Sequence, residues 1–220
     1  MSLKKVYFKT KIFEIKYFLK TVKKFYYKPV FALFDLFFSL TYFFINPYRI
    51  SRKFLEKKLK ENCYVYGETP YVTMDKIAKQ TDLKESDLFL ELGSGRGKSS
   101  FFIAFFYKCK IEAVEWILTF KKIANFFKTV LKVKNLKFIH NDMFNMNFEK
   151  YDVIYLYGST LEENEILKLI DKFKKMKKTS KIITISYSLS DYDKYFFTKK
   201  SFNVYFAYGR TTAYINQIRS

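Results

Sequence analysis

Between residues 87 and 187 short apolar runs alternate with stretches of helical period, and then the rhythm changes. "DLFLEL" (87–92), "IEAVEW" (111–116), "LKFIH" (136–140), "YDVIYLYG" (151–158) and "KIITISY" (181–187) read as strands. Helical patterns lie between them at about 98–107, 120–132 and 161–176. Strands separated by helices of this length predict a parallel, doubly wound α/β sheet. The final stretch, "SFNVYFAYGRTTAYINQI", instead carries two alternating strands joined around Tyr208-Gly209-Arg210. That is a hairpin rather than another crossover. A parallel sheet closed by an antiparallel hairpin restricts the families that fit.

The loop after the first strand, "ELGSGRGKSS", holds Gly93, Gly95 and Gly97 at alternate positions. A phosphate loop needs glycine, four residues, then Gly-Lys-Ser/Thr. Counting back from Gly97-Lys98-Ser99 puts that first glycine on Leu92, so the loop would be one residue too tight. The dinucleotide fingerprint Gly-x-Gly-x-x-Gly fails as well, because its last position falls on Lys98. What fits is acidic-x-Gly-x-Gly-x-Gly, running from Glu91 to Gly97. It resembles motif I of the class I S-adenosylmethionine (SAM)-dependent methyltransferases. The chemistry agrees: SAM has no phosphate to cradle, and glycines let the backbone approach it closely. Its amino group and sulfonium are cationic, which suits a carboxylate such as Glu91.

Two later strands also end in acids. Glu115 closes "AVEW", where a ribose needs an acceptor for both hydroxyls, and Asp142 follows the third strand in "NDMF". As a surface charge and a helix cap, each has an ordinary alternative. Together they fall where open α/β sheets bind ligands. The expected cofactor set is Glu91, Gly93, Ser94, Gly95, Gly97, Glu115, Trp116, Asp142, Met143 and Tyr157.

The first sixty residues are different in kind. They carry 15 Lys+Arg against 3 Asp+Glu, which is +12 of a total net charge of +20. Phe8, Ile12, Ile15, Leu19, Val22 and Tyr26 mark one face of a helix whose other surfaces are lysine-rich. Such a helix suits an anionic membrane surface, and equally a helix packed on the next domain with its lysines in water. "VFALFDLFFSLTYFFI" (30–45) spans only about 24 Å as a helix, short of a bilayer core of roughly 30 Å. Asp35, Ser39, Tyr42 and Asn46 also form a polar stripe along it. It is expected to lie in a membrane interface or to dock on protein, not to span. "RISRKFLEKKLKENCY" (49–64) reads as a basic helix or linker, and the division is drawn as 1–63 and 64–220. Cys63 and Cys109 have no metal-ligand spacing, and with His140 as the only histidine no metal site is encoded. Reduced thiols and the lack of a signal-peptide cleavage pattern point to the cytoplasm, beside or anchored at a membrane.

"YGETPYVTMDKIAK", "YLYGS", "ISYSLSDY" and "FAYGRTTAYI" are similar to a small family of protein-lysine methyltransferases. Its members act on the ATP synthase c-subunit and the adenine nucleotide translocase, and it has bacterial relatives. The similarity covers roughly residues 64–218 and implies a seven-stranded Rossmann-like methyltransferase domain, a lysine substrate and a membrane-associating segment ahead of it. Glu68 and Tyr157 are the candidate catalytic residues, with Tyr187 and Asp191 as further rim groups. The fourth strand ends in "YLYGS" and not in the Asn/Asp-Pro-Pro-Tyr type of motif that grips a base amine. RNA methylation, and SAM binding without catalysis, stand as the alternatives.

Overall fold

The computed structural model describes residues 3–58, 66–159 and 161–219; Cys63 and the 63/64 division lie outside them. The strands β1 (Leu88–Leu92), β2 (Lys110–Glu115), β3 (Leu136–His140), β4 (Val153–Leu156) and β5 (Lys181–Ile185) are mutually parallel. The long strands β6 (Phe196–Phe206) and β7 (Gly209–Ile218) form the hairpin, and β7 joins β5 antiparallel. The sheet order is β3-β2-β1-β4-β5-β7-β6. Chain order reverses between β1 and β4, so the crevice at their carboxyl ends is the natural ligand position.

Helices α4 (Tyr71–Thr81), α5 (Lys98–Phe106) and α6 (Leu118–Val130) cover one face of the sheet. Helix α7 (Glu163–Phe173) covers the other, with Phe148, Tyr151 and Leu189. Gly97 shows why the loop must be glycine: its φ is +82°, and a Cβ there would lie 2.6 Å from the Phe138 ring. The turn into α5 is therefore both left-handed and pressed against β3. Cys109 is fully buried, and burial pushes its thiol up to about 12, so it behaves as a small core residue.

Three helices precede the sheet: α1 (Leu3–Phe25), α2 (Pro29–Phe44) and α3 (Pro47–Lys57). Pro29 and Pro47 each open a helix in the first turn, where a missing N–H costs nothing. Asn46 caps α3 by accepting from the Tyr48 and Arg49 amides. The polar stripe of α2 turns toward the cleft, with Asp35 and Tyr42 buried and Ser39 exposed at its lining. Asp35 is 5% exposed and accepts hydrogen bonds from the hydroxyls of Tyr26 and Tyr71, each at 2.8 Å, which ties α1, α2 and α4 together. Phe31, Phe34 and Phe38 flank it and interlock with Phe101, Phe102, Phe105 and Phe127 of α5 and α6. Edge-to-face and tilted contacts of this kind add to the burial of the rings themselves.

The opposite side of α2 is bare. Val30, Leu33, Leu36, Phe37, Leu40, Phe43 and Phe44 are all more than half exposed, Leu36 at 61%. The apolar stripe expected on α1 is likewise open at Phe8, Ile12, Ile15 and Leu19. That helix is held instead through Thr21 and Phe25, and by Lys24, whose ammonium lies 2.5 Å from Asp75. No single helix among the described residues is long and apolar enough to cross a membrane.

Candidate active site

A cleft of about 1510 Å³ opens at the carboxyl ends of β1, β2, β3 and β4. Its floor runs from Gly93 and Gly95 to Glu115, Trp116 and Ile117, and on to the stretch from Asn141 to Phe144. Gly93, at φ +70°, has nothing within 4 Å of where a Cβ would stand, which leaves its backbone open to close approach. Gly95, at φ +54°, lies under the Tyr66 ring.

Glu115 holds this floor together. Its Oε2 accepts from the Gly95 amide at 2.6 Å and its Oε1 from the Ile117 amide at 2.7 Å. A carboxylate offers about four lone-pair sites, so roughly two remain for a vicinal diol. Trp116 turns its ring edge-on to Phe54 of α3, with Lys58 over its face. Asp142 spends Oδ1 on the Phe144 amide as the cap of a short 3-10 turn, which presents Met143 and Phe144 to the same wall.

Glu91 is placed differently from these. It is buried behind the loop, with both carboxylate oxygens taken by the hydroxyls of Ser99 and Ser100, and it does not line the cleft. It supports the first turn of α5 from beneath and does not face a ligand's cation. Ser94 also lies beneath the surface: its amide donates to Val114, while its hydroxyl is buried and unpartnered.

Burial raises both Glu91 and Glu115 to about 7 against their ordinary 4.5. The folded chain then keeps protons that the unfolded chain releases between pH 4.5 and 7. Their contribution to stability is complete below about pH 4.5 and is lost as pH rises through 7, by roughly 3 kcal/mol per group. Glu91→Gln should remove one such term. Urea unfolding of the ligand-free protein is expected to show the variant gaining on the wild type from pH 5 to pH 8; parallel profiles would mean that Glu91 is already ionised at pH 5.

The other end of the cleft is aromatic. Tyr157, just past β4, stacks on Phe206 at 4.7 Å, and Phe206 stacks on Tyr208. Gly67 lies so close to the Tyr157 ring that a Cβ would come within 2.6 Å of it. Tyr48 and Tyr66 complete the wall, their rings 5.2 Å apart. Thr69 donates to or accepts from the Tyr155 hydroxyl at 2.6 Å, and Pro70 caps α4 rather than opening it. Tyr187 and Asp191 lie away from this wall: Asp191 closes a capping box with Ser188, and the Tyr187 hydroxyl is buried.

Between the two ends lies an ion pair that the sequence reading missed. Arg96, the residue between Gly95 and Gly97, forks onto both oxygens of Glu68. Tyr66 donates to the same carboxylate at 2.7 Å, and the Lys98 ammonium stands 3.8 Å away. Burial alone would raise Glu68, but Arg96, Lys98 and Tyr66 outweigh it and hold the carboxyl at about 2. The guanidinium also lies 5.1 Å from the Phe38 ring. An arginine in a chain that otherwise relies on lysine was the available signal, because only its planar fork can grip a carboxylate and stack at once.

The sequence model of the family described as "Histone methylation protein DOT1" matches residues 51–212. The chain belongs to the DOT1 family. Its class is therefore that of the SAM-dependent methyltransferases, with SAM as the cofactor. The DOT1 match covers α3 through most of the hairpin and leaves α1 and α2 outside. Among solved structures, an RNA methyltransferase from Salinibacter ruber with S-adenosyl-L-homocysteine aligns at TM-score 0.57 and 18% identity, over 69% of this chain and 92% of that one. TrmN from Thermus thermophilus aligns at 0.58 and 11%, over 69% and 49%. MtNAS in complex with MTA and tNA aligns at 0.57 and 13%, over 68% of this chain and 60% of that one, so the chain spans about three-fifths of MtNAS. These likenesses show the fold. A search of curated proteins gives no match.

The floor fits SAM on its own geometry: an open glycine backbone at Gly93, a half-used carboxylate at Glu115 and an apolar wall at Met143 and Phe144.

Proposed function

We propose that this chain transfers a methyl group from SAM to a lysine side chain of a protein held at an anionic membrane surface, on the cytoplasmic side. The observation that carries the lysine half is the aromatic end of the cleft, walled by Tyr48, Tyr66, Tyr157 and Tyr208. Such a wall accepts an alkyl amine and gives a phosphate backbone little to bind. Membership of a family described by histone methylation supports it, as does the resemblance of the flanking motifs to the c-subunit and translocase lysine methyltransferases.

SAM supplies a methyl group already activated on a sulfonium, so the chain has to align the amine and exclude water. The amine must first lose its proton. Glu68, held at about 2 and gripped by Arg96, takes no proton near neutral pH. In this reading it is a positioning residue for the glycine loop. Burial and the neighbouring Tyr208 keep the Tyr157 phenol neutral, as a wall against which the alkyl chain packs. Desolvation between these rings disfavours the ammonium form of the entering lysine, and its proton leaves to water at the mouth.

What supports the membrane half is the bare outer face of α2, in a chain whose preceding helix α1 and following helix α3 are rich in lysine and arginine. Lipid would cover apolar surface that nothing among the described residues covers, and each basic side chain near anionic headgroups adds about 1 kcal/mol.

Purified protein, methyl-labelled SAM and a cell lysate with its membranes, followed by protease or nuclease, test this reading. Protease-sensitive label and methyl-lysine in the hydrolysate are expected. Nuclease-sensitive label would put RNA in place of protein. The combined Leu33→Ser, Leu36→Ser and Phe37→Ser chain, altered only on the bare face, should no longer float with anionic liposomes while still binding SAM. Unchanged flotation would refute the α2 contact.

A further inference from the structure

Tyr42 lies in α2, outside the span that the DOT1 family model matches, yet it lines the cofactor cleft. It is only 5% exposed, and its hydroxyl has no hydrogen-bond partner. A buried hydroxyl left unpaired costs about 1–3 kcal/mol, which a native site tolerates where a ligand supplies the missing partner. The phenol is not free to swing away toward water. Its ring stacks under the Arg96 guanidinium at 4.4 Å, packs on Phe38 at 4.9 Å and meets Phe120 at 6.4 Å. Every one of these neighbours is itself fixed: Arg96 by Glu68, Phe38 by Phe127, and Phe120 by the start of α6, which follows Glu115 and Ile117.

We infer that Tyr42 is a cofactor-binding residue, its hydroxyl hydrogen-bonding the nucleoside half of SAM. The position decides for the nucleoside half. Phe120, whose ring meets that of Tyr42, stands one turn beyond the Glu115–Ile117 floor that would receive a ribose diol, and Tyr42 and Glu115 line the same cleft. Helix α2 then serves as a wall of the cofactor site, closing over the nucleoside from the side that the family-matched span leaves open. The inference rests on SAM as the cofactor.

The test is Tyr42→Phe, which removes only the oxygen. Because that oxygen has no partner in the ligand-free protein, the variant's melting temperature without ligand should equal or exceed the wild type's. Its affinity for SAM is expected to fall about fivefold, the scale of one neutral hydrogen bond. Its affinity for 5′-methylthioadenosine, which keeps the nucleoside and lacks the amino acid, should fall by the same factor. Equal affinities for both ligands in variant and wild type would overturn the inference. Loss confined to SAM would overturn the nucleoside assignment and place the hydroxyl on the amino-acid end. Phe173→Leu, in the core on the other face of the sheet, serves as the packing control: it should lower the melting temperature and leave 5′-methylthioadenosine binding within twofold. A wild type that binds neither ligand would refute the cofactor reading itself, a different outcome from a silent Tyr42→Phe.

Discussion

Glu115→Ala is expected to lower SAM affinity by about two to four orders of magnitude. A ribose diol donating to an ionised carboxylate makes two charge-assisted hydrogen bonds, each of about 1.5–3 kcal/mol, and alanine removes both. It also orphans the Gly95 and Ile117 amides, which now donate to that carboxylate, so the glycine loop keeps only the Ser94–Val114 backbone bond as its tie to β2. Glu115→Gln separates the effects. It keeps one acceptor oxygen and the shape, and should cost roughly tenfold, since a neutral acceptor makes the weaker bond. The wild type carries a pH signature as well. With its carboxyl raised to about 7, Glu115 must ionise to receive the diol, so SAM binding should tighten as pH rises from 6 to 8. Glu115→Gln should flatten that slope. Calorimetric titration at several pH values reads all three, and wild-type affinity in Glu115→Ala would remove the ribose from this residue.

The second large effect is expected at Arg96. Removing one partner of a forked ion pair whose side chains are only 13% and 22% exposed leaves the other charge stranded, at a cost of up to about 3–5 kcal/mol. Arg96→Ala and Glu68→Ala should each lower stability by roughly that amount in urea unfolding, or by about 6–20 °C in melting temperature. The double variant should lose less than the sum of the two, because it strands no charge. Arg96→Lys is not expected to rescue: an ammonium cannot hold both Glu68 oxygens while lying flat on Tyr42 and Phe38. Additive losses would show that the two side chains act independently.

The sheet was legible because its signals are local. Each strand is a short apolar run beside a glycine or a polar turn, and β3 matches its expected bounds at 136–140. The hairpin was readable from alternation, but its turn falls at Ala207–Tyr208 with Gly209 and Arg210 already in β7, and β6 begins at Phe196, five residues before the expected start. Glycine spacing announced the loop, and acids at strand ends announced Glu115. What the sequence could not supply is direction. The stripe of Asp35, Ser39, Tyr42 and Asn46 was visible as a pattern, but the burial of Asp35 depends on Tyr71, far along the chain, reaching it. Glu91 and Glu115 look alike as acids ending strands; one is consumed by Ser99 and Ser100 and the other faces the cleft. Arg96 filled a variable position in the motif, and its meaning lies in Glu68, 28 residues earlier. Tyr42 was one tyrosine among 19, distinguished only by what surrounds it.

The interlocking of α2 with α5 and α6 also fixes an order of events at the ribosome. Phe34 finds Phe101 and Phe127 only after another hundred or so residues have been made, roughly 5–20 s at ordinary elongation rates. Throughout that interval both sides of the nascent helix are without protein cover, the side that will later seal the cofactor site and the side that never will be sealed. A lipid surface or a chaperone is what such a segment meets first. On the proposed membrane reading, completion of α6 would draw the inner phenylalanines into the protein core and leave the outer ones on the lipid, so synthesis alone would deliver the chain already seated.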